Sequence, residues 1–157
     1  MTITRVGAGD LDELIPLMRG YCDFYEVAPG DAALRALALT LLEHPDTAGV
    51  QLIARDDRGT AIGFATLFWS YSTLSAEAIG VMNDLYVEAA ARSAGVGAAL
   101  IRGCEAECAN RRVGVLEWQT APTNSAHSRS TTAATPSARS GSPTRSRSPH
   151  AEHGVAA

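Results

Sequence analysis

The stretch Arg92-Ser93-Ala94-Gly95-Val96-Gly97-Ala98 carries residue types suited to holding an anion, and it follows Asn83-Asp84-Leu85-Tyr86-Val87 after a short loop. Small residues at 94, 95, 97 and 98 let a ligand approach the backbone closely. The unpaired N–H groups of a first helical turn point outward, where phosphate oxygens accept from them, and the helix dipole adds to the attraction. A glycine-rich turn before a helix can also do no more than pack that helix on a sheet, so spacing alone leaves both roles open. Two other phosphate-binding designs fail. A dinucleotide fold wants three glycines at its first βα turn and an acid after the next strand, whereas this loop follows the fourth predicted strand. A P-loop needs Gly-Lys-Ser/Thr, and the chain has no Lys.

Holding such a loop requires a strand before it and a helix after it, and the apolar periodicity supplies both. Ile3 to Val6 reads as a strand, and Asp10 can cap a helix whose Leu11, Leu14, Ile15, Leu17 and Met18 recur at helical spacing. Ala32 to Glu43 forms a second amphipathic helix with Leu at 34, 37, 41 and 42, stopped near His44-Pro45 because proline cannot continue it. Gln51 to Arg55 and Ala61 to Trp69 are strands joined by the turn residues Asp56-Asp57-Arg58-Gly59, an antiparallel hairpin. Ile79 to Val87 is strand four, Gly95 to Arg111 a long helix and Gly114 to Thr120 strand five. The predicted order is β-α-α-β-β-β-α-β.

Charge divides the chain. Residues 1–124 hold nine Arg and sixteen acids, a net −7, whereas residues 125–157 hold four Arg and one acid, a net +3. The second segment contains eight Ser, four Thr and three Pro, and Val155 is its only aliphatic residue larger than Ala, so it cannot bury a core. It reads as a disordered linker or tail. Its four Arg, without Lys or aromatics, are too sparse for a nucleic-acid segment, and no nucleic-acid partner is expected. The apolar runs fall short of a membrane span, and the N-terminus lacks an export signal, which predicts a cytoplasmic chain with no membrane partner. Cys22, Cys104 and Cys108 read as reduced thiols, and with His44 the only histidine before the tail, no metal site is expected.

Arg-x-x-Gly-x-Gly at 92–97, after an Asp-Leu-Tyr-Val strand and before a helix, resembles the acetyl-CoA signature of the GNAT N-acetyltransferases. The resemblance covers about residues 1–124 and takes in the βαα start, the hairpin, and Leu116 to Thr120 leading to Asn124, similar to that family's fifth strand and following asparagine. It implies an α/β domain with a mixed, largely antiparallel sheet and flanking helices. It implies acetyl-CoA as cosubstrate, with backbone groups of Leu85, Tyr86 and Val87 meeting the pantetheine arm where strands four and five splay apart. Arg92, Ser93, Ala94, Gly95, Val96, Gly97 and Ala98 would cradle the pyrophosphate, and Asn124 would complete the cofactor contacts. Tyr86 and Val87 serve equally well as ordinary sheet packing.

The same resemblance places the acceptor pocket by the first helices, where Tyr21, Phe24, Tyr25 and Glu26 gather aromatic rings and a carboxylate. Such a cluster suits a cationic amine of a small molecule or peptide, and the acidic body steers cations toward it. Tyr21 and Phe24, at i and i+3, also fit plain core positions. Transfer needs a proton acceptor, and polyamine-type relatives carry a glutamate where this chain has Asn83, an amide. Glu117 is a candidate replacement, and equally a solvent-facing strand residue, so the base is unassigned and homodimerisation is left open.

Family members continue past the asparagine with a helix bearing a tyrosine, often the acid for the departing thiolate, and two further strands. Residues 125–157 contain none of these. Read one base out of frame with GC-rich third bases, residues 125–133 permit Gly-Ala-Leu-Ala-Leu-Tyr-Asp-Arg and residues 140–146 permit Trp-Leu-Ala-Tyr-Ser-Leu, which resemble the missing pieces. The tail is therefore read as an out-of-frame translation. The function expected is acetyl transfer to a primary amine; the alternative is a non-catalytic acyl-CoA-binding remnant or sensor.

Overall fold

Residues 1–118 are described by a computed structural model. In chain order they form β1 (Thr2–Arg5), a 3-10 turn (Ala8–Asp10), α1 (Leu11–Phe24), α2 (Asp31–Glu43), β2 (Gly49–Arg55), β3 (Ala61–Ser72), β4 (Glu77–Val87), a second 3-10 turn (Ala89–Ala91), α3 (Val96–Asn110) and β5 (Leu116–Glu117). The strands lie in the order β1-β2-β3-β4-β5. The first four pair antiparallel, and β5 pairs parallel to β4 at Gly80 and Val81. The mixed, largely antiparallel sheet and its element order match the reading of the sequence. Element ends differ: β3 runs on to Ser72, β4 starts at Glu77, and of the strand expected over 114–120 Leu116–Glu117 pairs among the described residues. Asn124 and the segment 125–157 lie outside the described residues.

Strand alternation gives the sheet two apolar faces, and each is covered by helices. Val50, Leu52, Ala54, Ala65, Leu67 and Met82 pack with Val96, Leu100, Cys104 and Cys108 of α3, and Leu85 and Val87 lie against the same cluster. On the opposite face Ile53 and Phe64 pack with Leu14, Ile15, Leu17 and Met18 of α1 and Leu34 and Ala38 of α2, with Tyr21 and Tyr86 at the margin. Those α1 residues are the ones whose helical spacing marked a buried stripe.

Asp10 stands at the N-cap of α1 but does not cap it with its side chain. Its carboxylate reaches back instead, accepting from Gly7 N–H at 2.7 Å and from Arg55 Nη2 at 2.7 Å. The 3-10 turn over residues 8–10 explains the difference, because it carries the chain into α1 already coiled and leaves Asp10 free to tie the helix start to β2.

The register of β3 on β4 slips between Thr66 and Leu67: Leu67 opposes Met82, yet Thr66 opposes Asp84, leaving Asn83 as an extra residue. Such a bulge breaks the two-residue alternation. Gly80 and Met82 face α3 before it. After it Leu85 and Val87 take that face, and Asp84 and Tyr86 turn toward α1.

Candidate active site

The anion loop is built as its composition suggested. Gly95 sits in the left-handed region at φ 79° directly before α3, a conformation that glycine enters without the steric cost other residues meet. Ser93 is left-handed too, at φ 66°. The first bond of the α3 ladder runs from Ala99 N–H to Gly95 O at 3.0 Å, so the N–H groups of Val96, Gly97 and Ala98 precede it and are free of that ladder. A Cβ at Gly97 would come no closer than 4.0 Å to Leu85 and Val87, so packing within the chain does not demand glycine there. Ser93, Ala94, Gly95 and Ala98 are exposed, leaving the loop and helix start accessible. Open N–H groups, small side chains and a left-handed entry fit a pyrophosphate.

Beside this loop, β5 pairs with β4 only at Gly80 and Val81, so among the described residues the β4 edge from Met82 to Val87 has no strand on that side. Leu85, Tyr86 and Val87 are held on the other side by Ala65, Phe64 and Gly63 of β3. This gives an extended ligand with amides a row of backbone partners. Arg92 is placed differently from the rest of the cradle. Its Nε donates to Val87 O at 3.1 Å and its guanidinium lies 6.0 Å from the centre of the Phe24 ring, so its side chain bridges β4 and the end of α1.

The acceptor side is made of side chains. Tyr21 packs edge-on to Tyr25 at 5.0 Å and to Phe64 at 6.0 Å, Phe24 meets Tyr25 at 5.2 Å, and Phe64 lies 6.3 Å from Tyr86. Gly20 makes room for this group, because a Cβ there would fall 2.4 Å from the Tyr86 hydroxyl oxygen. Tyr21 and Tyr25 are thus brought together as expected. Glu26 is not part of the group: it follows α1 at a left-handed φ of 57°, is exposed, and makes no side-chain hydrogen bond or ion pair among the described residues.

The carboxylate that does face the rings is Asp84. Burial, followed by the charge and accepting oxygens of Asp84, pushes the Tyr21 pKa well up, keeping the phenol neutral and able to donate. Asn83 Nδ2 donates to Asp84 Oδ1 at 2.9 Å. Asp84 escaped the sequence reading because strict alternation aims it at α3; only the bulge turns it to α1. Its pairing with a hydroxyl-bearing strand residue, Thr66, was the available signal. Glu117, the other carboxylate considered, is exposed on β5. Burial raises the Tyr86 phenol as well. Burial also pushes the thiols of Cys104 and Cys108 up to about 12 and about 11, so neither is a nucleophile at neutral pH. Among the described residues no group of three or more His, Cys, Asp or Glu is placed to hold a metal, and no helix is long and apolar enough to cross a membrane.

The model of the acetyltransferase (GNAT) family matches residues 14–129. A curated relative, the uncharacterised N-acetyltransferase YhfO of Bacillus subtilis (strain 168), is 33% identical over 101 residues, covering 64% of this chain and 66% of that protein, just under two thirds of its length. Among solved structures, a probable acetyltransferase shares 25% identity at a TM-score of 0.71, covering 80% of this chain and 83% of its own. The aminoglycoside N-acetyltransferase AAC(6')-Iy in complex with CoA has the same fold at 21% identity and a TM-score of 0.69, covering 79% of each chain.

Proposed function

This chain belongs to the acetyltransferase (GNAT) family, and from that premise we propose that it moves an acetyl group from acetyl-CoA to a primary amine of a small molecule or peptide. The observation that carries the reading is the meeting of two halves at the end of β4: an open strand edge running into the α3 N-terminus, and Asp84 with its ring of aromatics on the α1 face. The relatives' names support acetyl transfer, and the complex of AAC(6')-Iy with CoA supports the cosubstrate.

Acetyl-CoA supplies an activated thioester carbonyl to the reaction. The N–H groups of Val96, Gly97 and Ala98 hold the pyrophosphate, and the backbone of Leu85 to Val87 aligns the pantetheine amides. Tyr21, Tyr25 and Phe64 offer ring faces and edges to the acceptor, and Asp84 attracts it as a cation and takes its proton so that the nitrogen lone pair attacks the carbonyl carbon. The new C–N bond replaces the C–S bond, and the second proton of the acceptor nitrogen is lost as the thiolate is protonated through solvent, leaving a neutral amide and CoA as the thiol. Arg92 spans from Val87 O to the Phe24 ring and so ties the cofactor strand to the acceptor helix.

The test pairs calorimetry of acetyl-CoA on the full chain with thiol release in the presence of a panel of primary amines. Saturable binding with amine-dependent release is expected. Binding with no release for any amine would replace this reading with a non-catalytic acyl-CoA sensor, and no binding would overturn both. Repeating both measurements with residues 125–157 read in the shifted frame isolates what the tail contributes.

A further inference from the structure

A buried polar row crosses the sheet beneath α1. Gln51 of β2 and Thr66 of β3 are the buried polar side chains, at 3% and 0% exposure, and they oppose each other in register. Thr66 in turn opposes Asp84. Gln51, Thr66 and Asp84 therefore form one lateral line on the α1 face, ending at the acceptor site.

The proton pattern along the line has a direction. Gln51 Nε2 donates to Thr66 Oγ1 at 3.1 Å and lies 3.7 Å from Met18 Sδ. A thioether sulfur accepts and never donates, so the amide nitrogen, not the oxygen, faces this pair of neighbours. Gln51 Oε1 consequently has no hydrogen-bond partner among the described residues, an arrangement kept despite its cost. With its oxygen already accepting, the Thr66 hydroxyl holds one proton to give. The group directly across the strand pair is the Asp84 carboxylate; the two side chains are not hydrogen-bonded in this structure, and with Cβ atoms of opposed residues about 5 Å apart a turn of either side chain closes the bond.

We propose that Gln51 and Thr66 are positioning residues: Gln51 orients the Thr66 hydroxyl, which donates to Asp84 and fixes its carboxylate, together with Asn83 from the other side, facing the acceptor amine. This inference rests on the reading of Asp84 as the proton acceptor. Its logic is that of a carboxylate whose lone pairs are parcelled out among Asn83, Thr66 and the Tyr21 phenol, which narrows the directions from which an amine proton can be taken.

Thr66→Val keeps shape and removes the donor; Thr66→Ser keeps the donor; Gln51→Met removes the amide that orients it. With the amine found in the panel above, Thr66→Val is expected to lower kcat about tenfold or more, the scale of a misaligned general base, while the KM for acetyl-CoA stays within about twofold. Thr66→Ser restores kcat, and Gln51→Met gives a smaller loss in the same direction. A second readout needs no turnover: the carboxyl 13C resonance of Asp84, assigned by its loss in Asp84→Asn, moves in Thr66→Val and returns in Thr66→Ser. Should Thr66→Val fail to fold, Gln51→Met and Thr66→Ser carry both readouts. Folded Thr66→Val with unchanged kcat and an unmoved Asp84 resonance overturns the proposal. Asp84→Asn separates the two ideas: if it retains activity, the proton-acceptor reading fails, whereas its inactivity beside a fully active Thr66→Val sinks the positioning role alone.

Discussion

The two sides of β4 solve the problem of binding with different materials. Toward α3 and the open edge, the proposed recognition is by main chain: amide groups of residues 85–87 and of 96–98, open because side chains there are small or point elsewhere. Toward α1, the proposed recognition is by side chains from separate elements, namely Tyr21 of α1 and Tyr25 at its C-cap, Phe64 of β3, and Asp84 and Tyr86 of β4. A main-chain site tolerates most substitutions that keep its backbone angles. A side-chain site depends on every contributor's identity and on the register that brings them together. The contrast suits an enzyme whose donor is constant and whose acceptor distinguishes one family member from another.

The largest break is expected from Asp84→Asn, which removes the proposed proton acceptor at almost constant volume. It should lower kcat by roughly 10²–10⁴-fold in a thiol-release assay while acetyl-CoA affinity by calorimetry is preserved. Gly95→Ala attacks the other side. A Cβ at φ 79° costs roughly 1–2 kcal/mol, so the melting temperature falls and acetyl-CoA binding weakens, with acceptor selectivity across the amine panel unchanged. Gly20→Ala sharpens the division further: its Cβ displaces the Tyr86 hydroxyl, so the KM for the amine rises several-fold and that for acetyl-CoA does not move.

The smallest effect vanishes at neutral pH. Cys104 and Cys108 have folded-state pKa values raised from 9.0 to about 12 and about 11, so above pH 9 the unfolded chain loses thiol protons that the folded chain retains. Stability is therefore flat below pH 9 and falls as pH climbs through 11, a slope that thermal melts at stepped pH will record and that Cys108→Ala will flatten. Equal loss of amine and acetyl-CoA affinity in Gly20→Ala, or of both in Gly95→Ala, would erase the distinction between the two sides.

The same contrast explains what could be read from the sequence. The cofactor side is encoded in contiguous residues, so Arg92 to Ala98 after Leu85 to Val87 announced a strand, a tight turn and a helix start without any long-range information. Helical spacing likewise exposed the stripe of Leu11, Leu14, Ile15, Leu17 and Met18. The acceptor side is encoded in pairing. Tyr21 of α1 and Tyr25 at its C-cap are four apart, so their meeting was legible from helical spacing. Glu26, their neighbour in sequence, stands apart from the rings because α1 ends at Phe24 and the chain turns left-handed at 26. Asp84 was hidden by the slip of register at Asn83, and Gln51 and Thr66, fifteen residues apart, meet only because β2 and β3 align them.

The extra residue in β4 stands outside the count of the ladder and leaves the strand indifferent to identity at one point. Asn83 is exposed, and many residues could take its place. Deleting it would set Asp84 directly after Met82, so alternation would keep Asp84 and Tyr86 toward α1 and Leu85 and Val87 toward α3; drawing Asn83 into the ladder opposite Thr66 would instead turn everything beyond it over. Both faces of β4 thus depend on one skipped count in the strand, and a lineage can vary residue 83 freely, or lose it, provided that it never takes a place in the ladder.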